Sequence, residues 1–250
     1  MFSACEGEDP ELDDEVNECL EINQTSNTGY SYDKIYDGHR LMEQRTLFNG
    51  ELLNYHIFDY GPEDHIIESE LIDLRSGADY APSRITYNSN GKWVENRAIY
   101  STENWVSVAE YDSQNQIKEY RFITEKDGTE TVNYTVTYEW VGGNNTVRTF
   151  TSPTQRSVTR YEYDLQRDNL RREALENISF LTNVIAHNKN MRKRTVAAST
   201  DLASNITTET VTDYEYEYNE AGYPTKVTVT NTMGTATPAV SVTNFSYSCN

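Results

Sequence analysis

The residues able to do chemistry are few and scattered. Four histidines, His39, His56, His65 and His187, share no ligand-type spacing, and the cysteines Cys5, Cys19 and Cys249 come without a CxxC pair or a Cys/His set that would hold zinc. No GxGxxG, P-loop, HExxH, GxSxG or EF-hand loop occurs, so no coded phosphate cradle, elbow serine or calcium loop is present and no cofactor is expected. Asp and Glu number 40 in 250 residues, so a glycosidase pair such as Asp59 with Glu63, or Glu139 beside Trp140, can always be named, and nothing marks one out. The chain reads as non-enzymatic.

Two groupings carry binding chemistry instead. The run Lys189, Arg192, Lys193 and Arg194 stands out in a chain of formal net charge -19, as a patch for a phosphate-bearing headgroup, an acidic partner or the protein's own acidic face. The 19 tyrosines, with Trp93, Trp105 and Trp140, present flat amphipathic faces that stack on sugars or anchor partner proteins, although alternating tyrosines on strands also serve as core and cross-strand packing. The acidic balance repels nucleic-acid phosphates at long range, and no nucleic-acid partner is expected.

The elements that must position these residues are strands. Val132, Tyr134, Val136, Tyr138 and Trp140 alternate with Thr131, Asn133, Thr135, Thr137 and Glu139, and Tyr214, Tyr216 and Tyr218 alternate with Glu215 and Glu217, which predicts one apolar and one polar face. Asp37-Gly38, Asn49-Gly50, Asn90-Gly91, Asp127-Gly128 and Gly142-Gly143 supply turns that tolerate positive φ. The predicted fold is all-β, an antiparallel meander of repeated hairpins forming a large curved sheet, half-barrel or sandwich over residues 29–250. Around Trp93–Ala109 apolar residues occupy both phases, which predicts strands covered on both sides or a bulge. One short helical or loop insertion is expected near 173–205, packed across an open end of the sheet.

At the N-terminus, Phe2-Ser3-Ala4-Cys5 resembles the end of a bacterial lipoprotein signal peptide, which makes Cys5 the expected lipid attachment site. The acidic tract Glu6–Glu15 reads as a flexible tether, giving an anchor and tether over 1–28, and is similar to the export signal of surface lipoproteins of Bacteroidota. With Cys5 acylated, Cys19 and Cys249 remain at opposite ends of the domain, and a disulfide between them is expected in an oxidising compartment.

Tyr161-Glu162-Tyr163-Asp164 and the run Tyr216 to Val227 resemble the YD-type repeats of uncharacterised Bacteroidota lipoproteins, over roughly residues 30 to 250. Weaker copies of the unit are Tyr30–Asp33, Ile85–Asn88 and Glu110–Asp112. The repeats are also similar to those of Rhs-type toxin shells, though this chain is far too short to enclose a cargo. The resemblance implies an exported, sheet-rich protein and brings no activity with it. The expected function is a lipid-anchored binding or scaffold protein of the outer membrane, facing the cell surface, as an accessory subunit of an envelope complex. The alternatives are a glycan-binding or polysaccharide-active envelope protein, and a lipid carrier with an apolar cavity.

Overall fold

The computed structural model describes residues 19–75, 82–171 and 188–249. Among them sixteen strands follow in chain order. The first eight are β1 (Cys19–Ser26), β2 (Tyr30–Asp37), β3 (Arg40–Phe48), β4 (Glu51–Tyr60), β5 (Ile66–Asp73), β6 (Ser83–Tyr87), β7 (Trp93–Ile99) and β8 (Asn104–Tyr111). The second eight are β9 (Ile117–Lys126), β10 (Thr129–Val141), β11 (Asn144–Thr151), β12 (Gln155–Asp168), β13 (Asn190–Asp201), β14 (Ile206–Tyr218), β15 (Pro224–Met233) and β16 (Ala239–Cys249). Each pairs antiparallel with its sequence neighbours, and β1 pairs with β16 from Cys19–Cys249 to Ser26–Thr243. The antiparallel meander is as expected, but the sheet is a closed barrel, not a half-barrel or sandwich. Closure pairs the backbone groups that an open edge would leave bare.

Three further expectations change. No helix lies among the described residues, and much of the insertion expected at 173–205 is strand β13, paired with β12 on one side and β14 on the other. Its basic residues hid the alternation because they fall on both faces; residues 172–187 lie outside the described residues. The barrel also begins at Cys19, ahead of residue 29, since the half-polar run Cys19–Ser26 is a full strand. Finally, a bulge at Asn133 puts Val132 on the opposite face from Tyr134, and Val132 is 46% exposed.

Turn chemistry sets the two rims. Turns after odd strands form the mouth, where Asn49-Gly50 (φ 51° and 84°) and Asp127-Gly128 (φ 51° and 74°) make tight two-residue hairpins. Turns after even strands form the base. There the Asn88 side chain accepts from the backbone N–H of Asn90 and Lys92, and Asp112 does the same for Gln114 and Gln116. The core sits towards the base, around Leu41, Phe58, Ile66, Trp93, Ile117 and Tyr138, on the face that looks inward.

A ring of aromatic donors holds this base together. The arms of each odd-to-even hairpin part before they reach it: the ladder of β3 with β4 ends at Glu43–Ile57 and that of β7 with β8 at Glu95–Val108. Three residues past the last paired residue of the even strand, an aromatic crosses the gap to a carbonyl of the odd strand. Tyr36 donates to Glu21 at 3.1 Å, Tyr60 to Leu41 at 3.1 Å, Tyr87 to Ile66 at 2.8 Å and Tyr111 to Trp93 at 2.8 Å. Trp140 donates to Ile117 at 2.6 Å, Tyr163 to Asn145 at 2.6 Å and Tyr247 to Pro224 at 2.8 Å. An amphipathic ring with one polar tip suits this place, its body in the core and its donor on a half-buried carbonyl. Burial pushes the phenols of Tyr36, Tyr87 and Tyr111 far above their ordinary pKa, so they remain donors.

Candidate functional site

The faces of the wall differ in chemistry. On the outer face, cross-strand ion pairs join Arg84 to Glu68, Arg97 to Glu125, Arg121 to Glu110, Arg194 to Asp213 and Lys226 to Glu217. On the inner face lie the aromatic residues, packed at the base and exposed towards the mouth, where Trp105 is 41% and Tyr30 40% exposed. Two interior cations are held at the base by one carboxylate. Glu21, 2% exposed, accepts from Lys34 at 2.7 Å and pairs with Arg171 at 2.6 Å, while the Arg171 guanidinium lies 4.3 Å from the Phe245 ring centre. Burial alone would raise the Glu21 pKa, but the charges of Arg171 and Lys34 outweigh it and hold the carboxyl below its ordinary value.

The ring of aromatic donors is broken once. In the β13–β14 hairpin the ladder ends at Arg194–Asp213, and β14 runs five residues on to Tyr218, the residue opposite Pro224 where the ring places its aromatic. Among the described residues no β14 aromatic donates to the Arg192 carbonyl, so the two strands stay apart and leave a slit in the wall. Two cavities meet there, of about 250 Å³ and about 480 Å³, and both are lined by Tyr163, Arg192, Tyr214 and Tyr216. The smaller one reaches inward to Gln24, Val227 and Phe245.

Arg192 is the centre of this site. Its guanidinium lies 4.7 Å from the Tyr161 ring centre and 5.6 Å from that of Tyr214, within cation–π range of both. Its Nε is buried without an acceptor, and among the described residues it has no carboxylate partner. Burial opposes its charge while the phenol oxygens of Tyr214, Tyr163 and Tyr161 favour it, and the balance raises its pKa above the ordinary value. Buried amides brace the floor: Asn144 and Asn190 exchange bonds at 2.9 Å, and Asn188 accepts from the Asn145 N–H and the Tyr163 hydroxyl.

The basic run is therefore not brought together as one patch. Arg192 points inward, Arg194 outward to Asp213 at 3.2 Å, Lys193 is exposed at the bulge between them, and exposed Lys189 donates its backbone N–H to the Gly143 carbonyl. Cys19 and Cys249 form a disulfide, with Cα atoms 4.1 Å apart at the end of the closing ladder. Cys5 and His187 lie outside the described residues. His39 pairs with Asp64, His65 stacks on Tyr87 and half-buried His56 stacks on Phe58. Among the described residues no group of three His, Cys, Asp or Glu could hold a metal ion. Sequence reasoning missed Glu21, Lys34, Arg148 and Arg171; alternation would have placed the first three on the inner face once the bulges were known, whereas Arg171 lies in the turn after β12 and had no such signal.

A closed antiparallel barrel of sixteen strands with a slit-fed interior cavity is the class of structure these observations define. Solved structures share the fold. A porin-like protein from Bacteroides uniformis aligns at a TM-score of 0.64 and 12% identity, over 93% of this chain and 98% of that one. A second porin-like protein, from Bacteroides vulgatus, aligns at 0.57 and 14% identity, over 92% and 99%. No protein-family profile and no curated protein matches the sequence.

Proposed function

We propose that this protein is a lipid-anchored, non-enzymatic binding protein of the bacterial outer membrane, held through Cys5 with its barrel in water. The observation that carries the reading is the charged outer wall. A barrel that crosses a bilayer needs an apolar outward band about 25 Å tall and a polar interior, whereas here the ion pairs face outward and the aromatic residues inward. Such a barrel works beside a membrane, and Phe2-Ser3-Ala4-Cys5 supplies the means of staying there. The likeness to porin-like Bacteroides proteins supports an envelope setting, and the acidic tract after Cys5 favours the cell surface. The recurrent hairpin, with an aromatic before an Asp- or Asn-capped turn, is read as a YD-type repeat closed into a ring. A binding role is favoured over catalysis because the polar side chains lining the smaller cavity at the slit are mainly arginines, tyrosines and amides, and the interior carboxylate Glu21 is taken up by Lys34 and Arg171.

The test is fractionation of the signal-bearing precursor, with mass spectrometry of its N-terminal peptide. The expected result is an acylated Cys5 and detergent-dependent release, with Cys5→Ser appearing in the aqueous fraction. A Cys5→Ser protein that still needs detergent would mean that the wall itself sits in the bilayer, and would overturn the reading.

A further inference from the structure

Seven of the described arginines face a carboxylate: Arg40 has Asp64, Arg45 has Glu43, Arg84 has Glu68, Arg97 has Glu95 and Glu125, Arg121 has Glu110, Arg194 has Asp213, and Arg171 has Glu21, while Arg148 on the inner face lies over the Phe150 ring. Arg192, half-buried with its Nε unpaired, has tyrosines around it and no carboxylate among the described residues, and it lines the two cavities at the slit. A cation partly withdrawn from water without a counter-charge is costly. The outer wall carries abundant carboxylates, and among the described residues none pairs with this one. β14 also departs from its fellows here. Its extra length between Asp213 and Tyr218 sets Tyr214 and Tyr216 in the slit, where the other hairpins have a single aromatic that closes the gap.

We propose that the slit between β13 and β14 is a binding site for a carboxylate-bearing sugar, a hexuronate unit, with Arg192 receiving the carboxylate. The proposal deepens the binding role given above and does not depend on the anchor. A planar guanidinium matches a carboxylate with two parallel donors. Tyrosine faces stack on the C–H face of a pyranose ring, and Tyr163, Tyr214 and Tyr216 line the same cavity as the guanidinium. Gln24 and Asn169, which line the same cavity, carry amides suited to ring hydroxyls. A cavity of about 250 Å³ lies below the range of roughly 300–1,000 Å³ that takes drug-sized ligands, so it suits a single ring. The larger cavity on the far side of the slit continues past Gln166 and Tyr218 and gives an attached chain a way out. A monoanion also suits a protein of net charge -19, which repels more highly charged ligands such as phosphate esters.

The experiment is calorimetric titration of the intact disulfide-bonded protein with glucuronate, galacturonate and mannuronate, each beside its parent hexose and beside acetate. At least one uronate is expected to bind about tenfold or more tightly than its hexose and than acetate, a difference of roughly 1.4 kcal/mol. Arg192→Gln should abolish that preference, while Tyr214→Leu should weaken acid and hexose alike. Arg192→Lys, with far-ultraviolet dichroism of each variant, separates loss of the guanidinium from loss of the fold, because lysine keeps the charge and should retain part of the preference. No heat from any uronate at about 10 mM, well above the weakest affinity a specific site would show, would overturn the proposal, as would equal binding of the hexose. Acetate binding as tightly as the uronate would reduce the site to a simple anion hole and overturn the sugar assignment. None of these outcomes alters whether Cys5→Ser leaves the membrane, so the anchoring reading stands or falls separately.

Discussion

Closure of the barrel rests on one seam, and the Cys19–Cys249 disulfide lies at its base end. β1 is held on its other side by only three register pairs with β2, Asn23–Asp33 to Thr25–Ser31, so the base half of β1 depends on β16 and the covalent link. The two cysteines are 230 residues apart. In the chain-entropy model a loop of that size costs the unfolded chain roughly 18 cal/mol/K, or about 5 kcal/mol at 25 °C. Replacing both cysteines by serine should lower the melting temperature by about 10–20 °C for a chain of this length. Calorimetric and dichroism melts of wild type, double variant and reduced wild type measure it, and the last two should agree. Hydrogen exchange should show the largest gain in rate at the amides of Cys19, Leu20 and Glu21, with the β9–β10 ladder unchanged. A loss below about 1 kcal/mol would refute the reasoning, because the terminal strands would then stay joined in the unfolded chain without the link.

Other substitutions probe the interior. Glu21→Gln leaves Lys34 and Arg171 buried without their counter-charge and should cost about 3–5 kcal/mol, read as a lowered urea midpoint at pH 7. Because the Glu21 pKa is held below 4.5 in the folded protein, its contribution is complete above that value and lost as pH falls through the lower folded pKa, so wild type and Glu21→Gln should converge in acid. His56 is the opposite kind of group: burial lowers its pKa below 6.5, the unfolded chain binds the proton first, and stability should fall as pH drops below 6.5. That slope should be absent in His56→Leu. Tyr111→Phe removes a donor from the Trp93 carbonyl and should cost about 1 kcal/mol, whereas Tyr216→Phe, outside the ring of bonds, should shift the midpoint by less than about 0.5 kcal/mol.

Much of the fold was legible because strand alternation and turn chemistry are local. Asn49-Gly50 and Asp127-Gly128 fold as read, and the alternation from Tyr134 to Trp140 holds with the aromatics inward. What the sequence hid is long-range. Whether β16 returns to β1 depends on twist and stagger accumulated over every strand, not on any window of residues. The bulges were invisible for a related reason: each shifts phase by one residue, so a pattern read across Val132 and Tyr134 assigns both to one face when they lie on two. The units themselves were partly mislocated. Tyr32-Asp33 looks like a repeat end but lies in mid-strand, and Tyr36, three residues past the end of its ladder, fills the role. At the site, the basic run from Lys189 to Arg194 was visible, but its division between faces required knowing that it is a strand with a bulge at Lys193.

The likeness to porin-like proteins and the chemistry of the wall pull in different directions, and a magnitude decides between them. Arg45, Arg97 and Arg121 stand near mid-height on the outer face, each beside carboxylates. At the midplane of a bilayer an outward arginine costs about 2–4 kcal/mol, so these three alone would cost roughly 6–12 kcal/mol before Glu110 and Glu125 are counted. That is comparable with the whole stability of an ordinary folded protein, about 5–15 kcal/mol. In water the same pairs cost almost nothing, since exposed ion pairs sit near neutrality. The overall fold is therefore shared with the porin-like proteins, while in this chain the charged face of the wall points outward. Turning the polar face outward frees the interior to be aromatic, and the proposed binding role rests on that aromatic interior together with Arg192 at the slit.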